Sequence, residues 1–205
     1  MSGQVRIAVL VSGGGTNLQA LIDAEKRGEI PSGKLALVVS NKRDAYALER
    51  ARFAGIETAV IPYRMSQPRE AFEQRLDALL QQHGIGMIVL AGFMLILTPA
   101  FIRRYENRMI NVHPALIPSF CGEGMYGLHV HEAALTYGVK VSGATVHYVS
   151  EVCDGGPIIL QKAVDVLDGD TPQTLQKRIM EQAEWVLLPK AAQIVCARLL
   201  KEGNV

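Results

Sequence analysis

The 205-residue chain carries 21 Lys and Arg against 20 Asp and Glu, a formal net charge of +1, and is 49% hydrophobic. That length and apolar content suit one large domain with a sizeable core, and so balanced a charge excludes an electrostatic bias toward nucleic acid or a membrane surface. Three cysteines, Cys121, Cys153 and Cys196, are an odd number without metal-ligand spacing, so free thiols in a reducing cytoplasm are expected. The opening MSGQVRIAVLV has too short an apolar run for a membrane span and no signal-peptide pattern.

Residues 5–11, VRIAVLV, form a continuous apolar run that predicts a strand buried on both faces. SGGGTN follows, then a helix over LQALIDAEKRG ending at Gly28, and a second strand over 35–41. DAYALERARFAG predicts a helix capped by Asp44 and ended by Gly55. ETAVIPY predicts a short strand, PREAFEQRLDALLQQHG a helix with Pro68 in its first turn, and GMIVLAGF a fourth strand. A short helix over TPAFIRRYEN and a fifth strand over RMINVHP complete the alternation. Strands alternating with helices predict a doubly wound, mostly parallel, Rossmann-like α/β sheet in the first 110 residues.

After Pro114 the pattern changes. ALIPSFCGEGMYG is a Pro- and Gly-punctuated loop, LHVHEAALTYG a helix, and KVSGATVHYVSE and PIILQKAVDVL two strands joined by VCDGG. So short a link predicts an antiparallel pair. A long C-terminal helix, or two broken near Pro189, closes the chain over residues 171–203. The expectation is one domain over 1–205, with a ribonucleotide-binding half (1–110) and a half carrying the catalytic loop (111–205).

Two stretches carry candidate chemistry. In a short strand Asn111 and His113 point to one side, about 7 Å apart, and Pro114 ends the strand, which leaves both at a C-terminal sheet edge where ligands bind. Ser12-Gly13-Gly14-Gly15-Thr16-Asn17 joins the first strand to the first helix, and its backbone N–H groups form an anion cradle suited to a single phosphate. It lacks the third glycine of a dinucleotide fingerprint, since residue 18 is Leu, and lacks the Gly-Lys-Ser/Thr of a P-loop. The same residues would also serve a plain tight turn.

Candidate acids are Asp154, Glu151 and Glu184. Asp154 stands in Cys-Asp-Gly-Gly-Pro, where the glycines permit a sharp turn and a close approach. A carboxylate beside a buried His raises its pKa, so Asn, His and Asp together could stabilise an oxyanion and move a proton. Each has a bland reading too: strand-end caps for Asn111 and His113, a turn-fixing residue for Asp154. No G-x-S-x-G elbow supports a serine acyl-enzyme. His129 and His131 are two apart and fall on different faces of a helix, which disfavours a metal. His147 is either a satisfied core His or a neighbour of Asp154, and Arg69, at a helix start, is by default a solvated surface group.

VLVSGGGTNLQALIDA, SNKRDAYALERARFAGI, VLAGFMLILTPAFI, NVHPALIPSF and GATVHYVSEVCDGGPIILQ together resemble the phosphoribosylglycinamide formyltransferase family of purine synthesis, in order and over nearly the whole chain. The resemblance implies formyl transfer from 10-formyltetrahydrofolate to the amine of glycinamide ribonucleotide, with no metal. It makes Asn111, His113 and Asp154 the catalytic trio and gives the ribonucleotide phosphate to Gly15, Thr16 and Asn17. Glu184 would contact the substrate amine. The folate would lie along Met94, Leu95, Ile96 and Leu97, beside Asn111 and Arg69. Many members carry a basic residue where this chain has Leu95, so a backbone contact is implied there, and many have a shorter loop after His113-Pro114. The family leaves room for a homodimer. A formyltetrahydrofolate hydrolase would be expected to carry a further N-terminal domain, a methionyl-tRNA formyltransferase a basic C-terminal one. A nucleotide-binding module would not explain the trio.

Overall fold

Val5–Val11 form strand β1, in which every residue except Arg6 is buried. Its side chains alternate between two cores. Val5, Ile7, Val9 and Val11 enter one, Ala8 and Leu10 the other, which is the two-sided burial of a central parallel strand. The computed structural model describes residues 3–63 and 68–203. After β1 come α1 (Thr16–Lys26), β2 (Gly33–Ser40), α2 (Ala47–Phe53), β3 (Glu57–Val60), α3 (Arg69–Gln82) and β4 (Met87–Leu90). Then follow α4 (Pro99–Arg104), β5 (Met109–His113), α5 (Leu128–Tyr137), β6 (Val141–Tyr148) and β7 (Ile158–Asp165). Helix α6 (Pro172–Ile179), a π-helical turn (Met180–Glu184) and α7 (Trp185–Glu202) end the order.

The seven strands form one sheet in the order β3-β2-β1-β4-β5-β6-β7. The first five are parallel, and β6 and β7 run antiparallel beyond β5. This is the expected doubly wound sheet with an antiparallel C-terminal extension. Leu18 and Leu21 of α1, Leu48 of α2, Ala134 of α5, Ile179 of α6 and Val195 of α7 pack one face. Phe72, Leu76 and Leu80 of α3 and Phe101 of α4 pack the other. Strand order reverses between β1 and β4, and the sheet edge beyond such a reversal is the usual ligand position in these folds. Among the described residues no helix is long and apolar enough to cross a membrane.

Three local expectations are corrected. Helix α2 begins at Ala47 with Tyr46 at its cap, and Asp44 lies outside it in a turn. A long-range contact sets that start: the Ala47 N–H donates to the Gly13 carbonyl at 3.0 Å. Strands β3 and β4 are four residues each, shorter than their apolar runs, because those runs continue into the loops at the sheet edge. The C-terminal helix does not break at Pro189, which lies inside α7. The irregularity is the π-helical turn upstream, next to Trp185, whose carbonyl the Pro189 ring would strike in a regular helix.

Candidate active site

Strand β5 delivers Asn111 and His113 to the C-terminal edge, and its pairing with β6 sets Asn111 directly opposite His147 and His113 opposite Thr145. The hairpin from β6 to β7 then returns Asp154 to the same place. That turn is tight enough to require glycine: a Cβ on Gly156 would lie 1.8 Å from the Tyr148 carbonyl oxygen. Asp154 itself has φ 53°, a left-handed conformation uncommon for a non-glycine residue and frequent where function holds a side chain in place. The Asp154 carboxylate lies 3.5 Å from His113 Nδ1 and 3.6 Å from His147 Nε2. The predicted trio is therefore assembled, with His147 as its fourth member.

Hydrogen positions follow from the partners. His147 Nδ1 lies 2.9 Å from the Tyr148 carbonyl oxygen, which only accepts, so Nδ1 carries the proton. In the neutral ring, Nε2 then accepts from Asn111 Nδ2 at 3.3 Å. This fixes which way the Asn111 amide faces and leaves its second N–H to give. His113 Nε2 lies 2.8 Å from the Phe120 carbonyl, and the Gly122 N–H donates to Asp154 Oδ2 at 2.9 Å. The loop after Pro114 is thus bonded to two members of the trio.

Burial pushes the His113 imidazole below its ordinary value, and the Asp154 carboxylate and Phe120 carbonyl pull it up by less. The expectation that the carboxylate would raise it is overturned: the desolvation of a side chain only 4% exposed wins. The resting imidazole is neutral near pH 7, with its proton on Nε2, which agrees with a Nδ1–Asp154 separation too long for a good hydrogen bond. Asp154 also lies below its ordinary value, which for a carboxyl group favours the charged form: burial opposes its ionisation, but His147 and the Gly122 N–H, with His113 when that ring is charged, outweigh it. Burial, followed by Asp154, raises both Cys121 and Cys153, so these neighbouring thiols stay protonated and make poor nucleophiles.

The glycine loop leaves the C-terminal end of β1, on the same edge of the sheet. Gly15 has φ 75°, and a Cβ there would meet Ala47 Cβ at 2.6 Å, so helix α1 starts on a position only glycine fits. The first helical bond runs from Gln19 N–H to the Gly15 carbonyl at 2.9 Å, which leaves the N–H groups of Thr16, Asn17 and Leu18 without intrahelical partners. Helix α2 holds the loop from behind: Ala47 N–H binds the Gly13 carbonyl and Arg50 Nε the Gly14 carbonyl. The Asn17 amide is turned toward Glu184, donating from Nδ2 to Oε2 at 2.7 Å.

Glu184 ends the π-helical turn and is 6% exposed. Burial pushes its carboxyl up to about 7, against the opposing bond from Asn17. The folded chain therefore keeps a proton that the unfolded chain releases between about pH 4.5 and 7. The stability from this site is full below about 4.5 and is lost as pH rises through about 7. Glu184→Gln should narrow the fall in melting temperature between pH 5 and pH 8. An equal fall in variant and parent would show that another group is responsible.

Beyond β4 the chain runs extended through Met94, Leu95, Ile96 and Leu97. Met94 and Ile96 are exposed, at 48% and 52%, Leu95 is half-buried, and Leu97 is buried in the core. Only the first two side chains are therefore largely open to a ligand. Arg69 stacks its guanidinium 5.9 Å from the Tyr63 ring centroid, and Tyr63 in turn meets the buried Phe72 ring edge-on at 5.8 Å. Glu151 is outside the site, paired with Arg103 at 2.6 Å. His129 is exposed and bonded to Glu132, whereas His131 is fully buried and pushed down to about 4 by burial and by His113. The two do not converge, and among the described residues no group of three or more His, Cys, Asp or Glu is placed to hold a metal ion.

Amide and imidazole donors beside an ionised carboxylate form an arrangement that can stabilise an oxyanion and move a proton. The formyl transferase family model matches residues 5–191, and the chain belongs to that family. It is 43% identical to phosphoribosylglycinamide formyltransferase of Escherichia coli over 178 residues, covering 87% of this chain and 81% of that protein. It is 42% identical to the human trifunctional purine biosynthetic protein adenosine-3 over 98% of this chain, but spans only 19% of that protein's length. The crystal structure of glycinamide ribonucleotide transformylase 1 from Symbiobacterium toebii superposes with a TM-score of 0.88 at 42% identity, covering 95% of this chain and 89% of that one.

Proposed function

We propose that this chain transfers the formyl group of 10-formyltetrahydrofolate to the amine of glycinamide ribonucleotide, in the cytoplasm. The observation that carries the reading is the meeting of Asn111, His113 and Asp154 at the sheet edge; the relatives' names support the ribonucleotide acceptor, and the folate donor is what the family resemblance implies. The ribonucleotide phosphate lies at the start of α1, on the N–H groups around Gly15, Thr16 and Asn17. Glu184 faces the amine side, and the folate lies along Met94–Leu97 toward Arg69.

The neutral amine attacks the formyl carbon, and a tetrahedral oxyanion forms. Asn111 Nδ2 donates its second N–H to that oxygen. His113 Nε2 donates as well, exchanging the Phe120 carbonyl for the oxyanion as acceptor. Negative charge developing there raises the imidazole's proton affinity, which burial lowers at rest. The adduct's ammonium nitrogen gives one proton, through water, to His113 Nδ1, whose charge Asp154 supports, and from there to the folate nitrogen, whose bond to the formyl carbon breaks as the oxyanion reforms the carbonyl. Protein donors meet the charge on oxygen, so the proposed step draws on no metal.

Incubation with 10-formyltetrahydrofolate, with and without glycinamide ribonucleotide, tests the reading by following deformylated folate. Formation only with the ribonucleotide is expected. Formation without it would make the chain a hydrolase, and none in either case would make it a binding module.

A further inference from the structure

Resting on that assignment of the two substrate regions, we propose that Ser12 is a positioning residue that joins them, holding the folate-facing strap in register with the ribonucleotide-facing loop. Ser12 is the first residue of the glycine loop and is 4% exposed. Its N–H donates to the Gly92 carbonyl at 3.1 Å. Its hydroxyl donates to Asn41 Oδ1 at 2.7 Å and accepts from the Met94 N–H at 2.9 Å. A hydroxyl has one hydrogen, so giving it to Asn41 fixes the rotor and turns a lone pair to Met94. One side chain thereby ties the ends of β1, β2 and β4 together at the point where strand order reverses.

What lies on either side of this knot gives it a role beyond packing. On the loop side, a Cβ on Gly13 or Gly14 would meet nothing within 4 Å, so the loop faces open space. On the strap side, Met94 and Ile96 are exposed. The strap's far end is fixed separately, because the Thr98 N–H donates to the buried Glu73 carboxylate at 2.6 Å. The near end is held by Gly92 and Met94 on Ser12. Loss of the hydroxyl leaves the Met94 N–H without its acceptor and frees the strap to shift against the loop. The trio sits on β5 and the β6–β7 hairpin, whereas this hydroxyl bonds Asn41 and Met94.

The test compares Ser12→Ala, Asn41→Ala and Asn41→Asp with the parent. Steady-state kinetics give both KM values and kcat, and direct titration gives the Kd for 10-formyltetrahydrofolate alone. Ser12→Ala is expected to raise the folate Kd and KM about tenfold, the scale of one unsatisfied backbone donor. The ribonucleotide KM should rise in the same direction, with kcat within about threefold of the parent. Asn41→Ala should repeat this pattern, and Asn41→Asp, which keeps the acceptor, should stay near the parent. A lowered melting temperature with both KM values unchanged, or a fall in kcat alone, would overturn the proposal. If Ser12→Ala does not fold, the Asn41 pair decides by the same criteria. A parent that binds folate but forms no product would sink the transfer reading, while the folate Kd values would still decide the role of Ser12.

Discussion

Asn111→Ala should lower kcat by ~10²-fold or more while the protein stays folded, the usual worth of a preorganised oxyanion donor. The amide is aimed by the register of β5 against β6, which places it opposite His147, and the bond to His147 Nε2 holds its orientation. Removing it leaves the backbone pairing of β5 intact, because that ladder uses main-chain groups alone. Ground-state binding of the ribonucleotide should change far less than turnover, since the oxyanion exists only after attack. Steady-state kinetics with a melting curve checks both halves. Turnover within a few-fold of the parent would remove Asn111 from the chemistry.

Asp154→Asn should cost a similar ~10² or more in kcat, for a different reason. The substitution keeps the size of the side chain but removes the negative charge beside His113 and His147. It also sets an amide where Gly122 N–H now meets a carboxylate oxygen. His113 already lies below its ordinary value, and without Asp154 it loses the charge that opposes its desolvation, so it becomes harder to protonate as the oxyanion forms. Since Asp154 is held below its usual carboxylate range, it is ionised throughout neutral pH. The defect should therefore persist between about pH 6 and pH 9. Recovery at the alkaline end would mean that Asp154 acts by titrating rather than by its standing charge.

The parallel half of the fold was legible because its strands are continuous apolar runs: Val5–Val11 feeds both cores and says so in its composition. Asn111 and His113 were legible as a pair from simple alternation. Asp154 was legible only as one of three candidate acids, and resemblance singled it out, because its approach depends on how far the β6–β7 hairpin turns back. His147 stayed ambiguous, since nothing local reveals that β6 places it across from Asn111. The sign of the His113 shift does not follow from the sequence, because a neighbouring carboxylate is visible in a motif and the depth of burial is not. Ser12 had no periodicity to single it out, and the start of α2 at Ala47 was set by a hydrogen bond to a residue 34 positions away.

The π-helical turn between α6 and α7 has a consequence for how this segment tolerates change. A regular helix advances about 100° per residue, so a turn that houses one extra residue shifts everything after it by roughly that angle. Leu175 and Ile179 before it, and Leu188, Ala191 and Val195 after it, nevertheless enter the same core. The turn acts as a phase correction: one rod presses two differently clocked apolar stripes on the sheet while its waist aims Glu184 at Asn17. Within 180–184 the number of residues therefore matters as much as the identity of the buried Ala183 and Glu184. Loss of a single residue would mend the helix, barely alter its composition, and still swing either the acid or the stripe out of place.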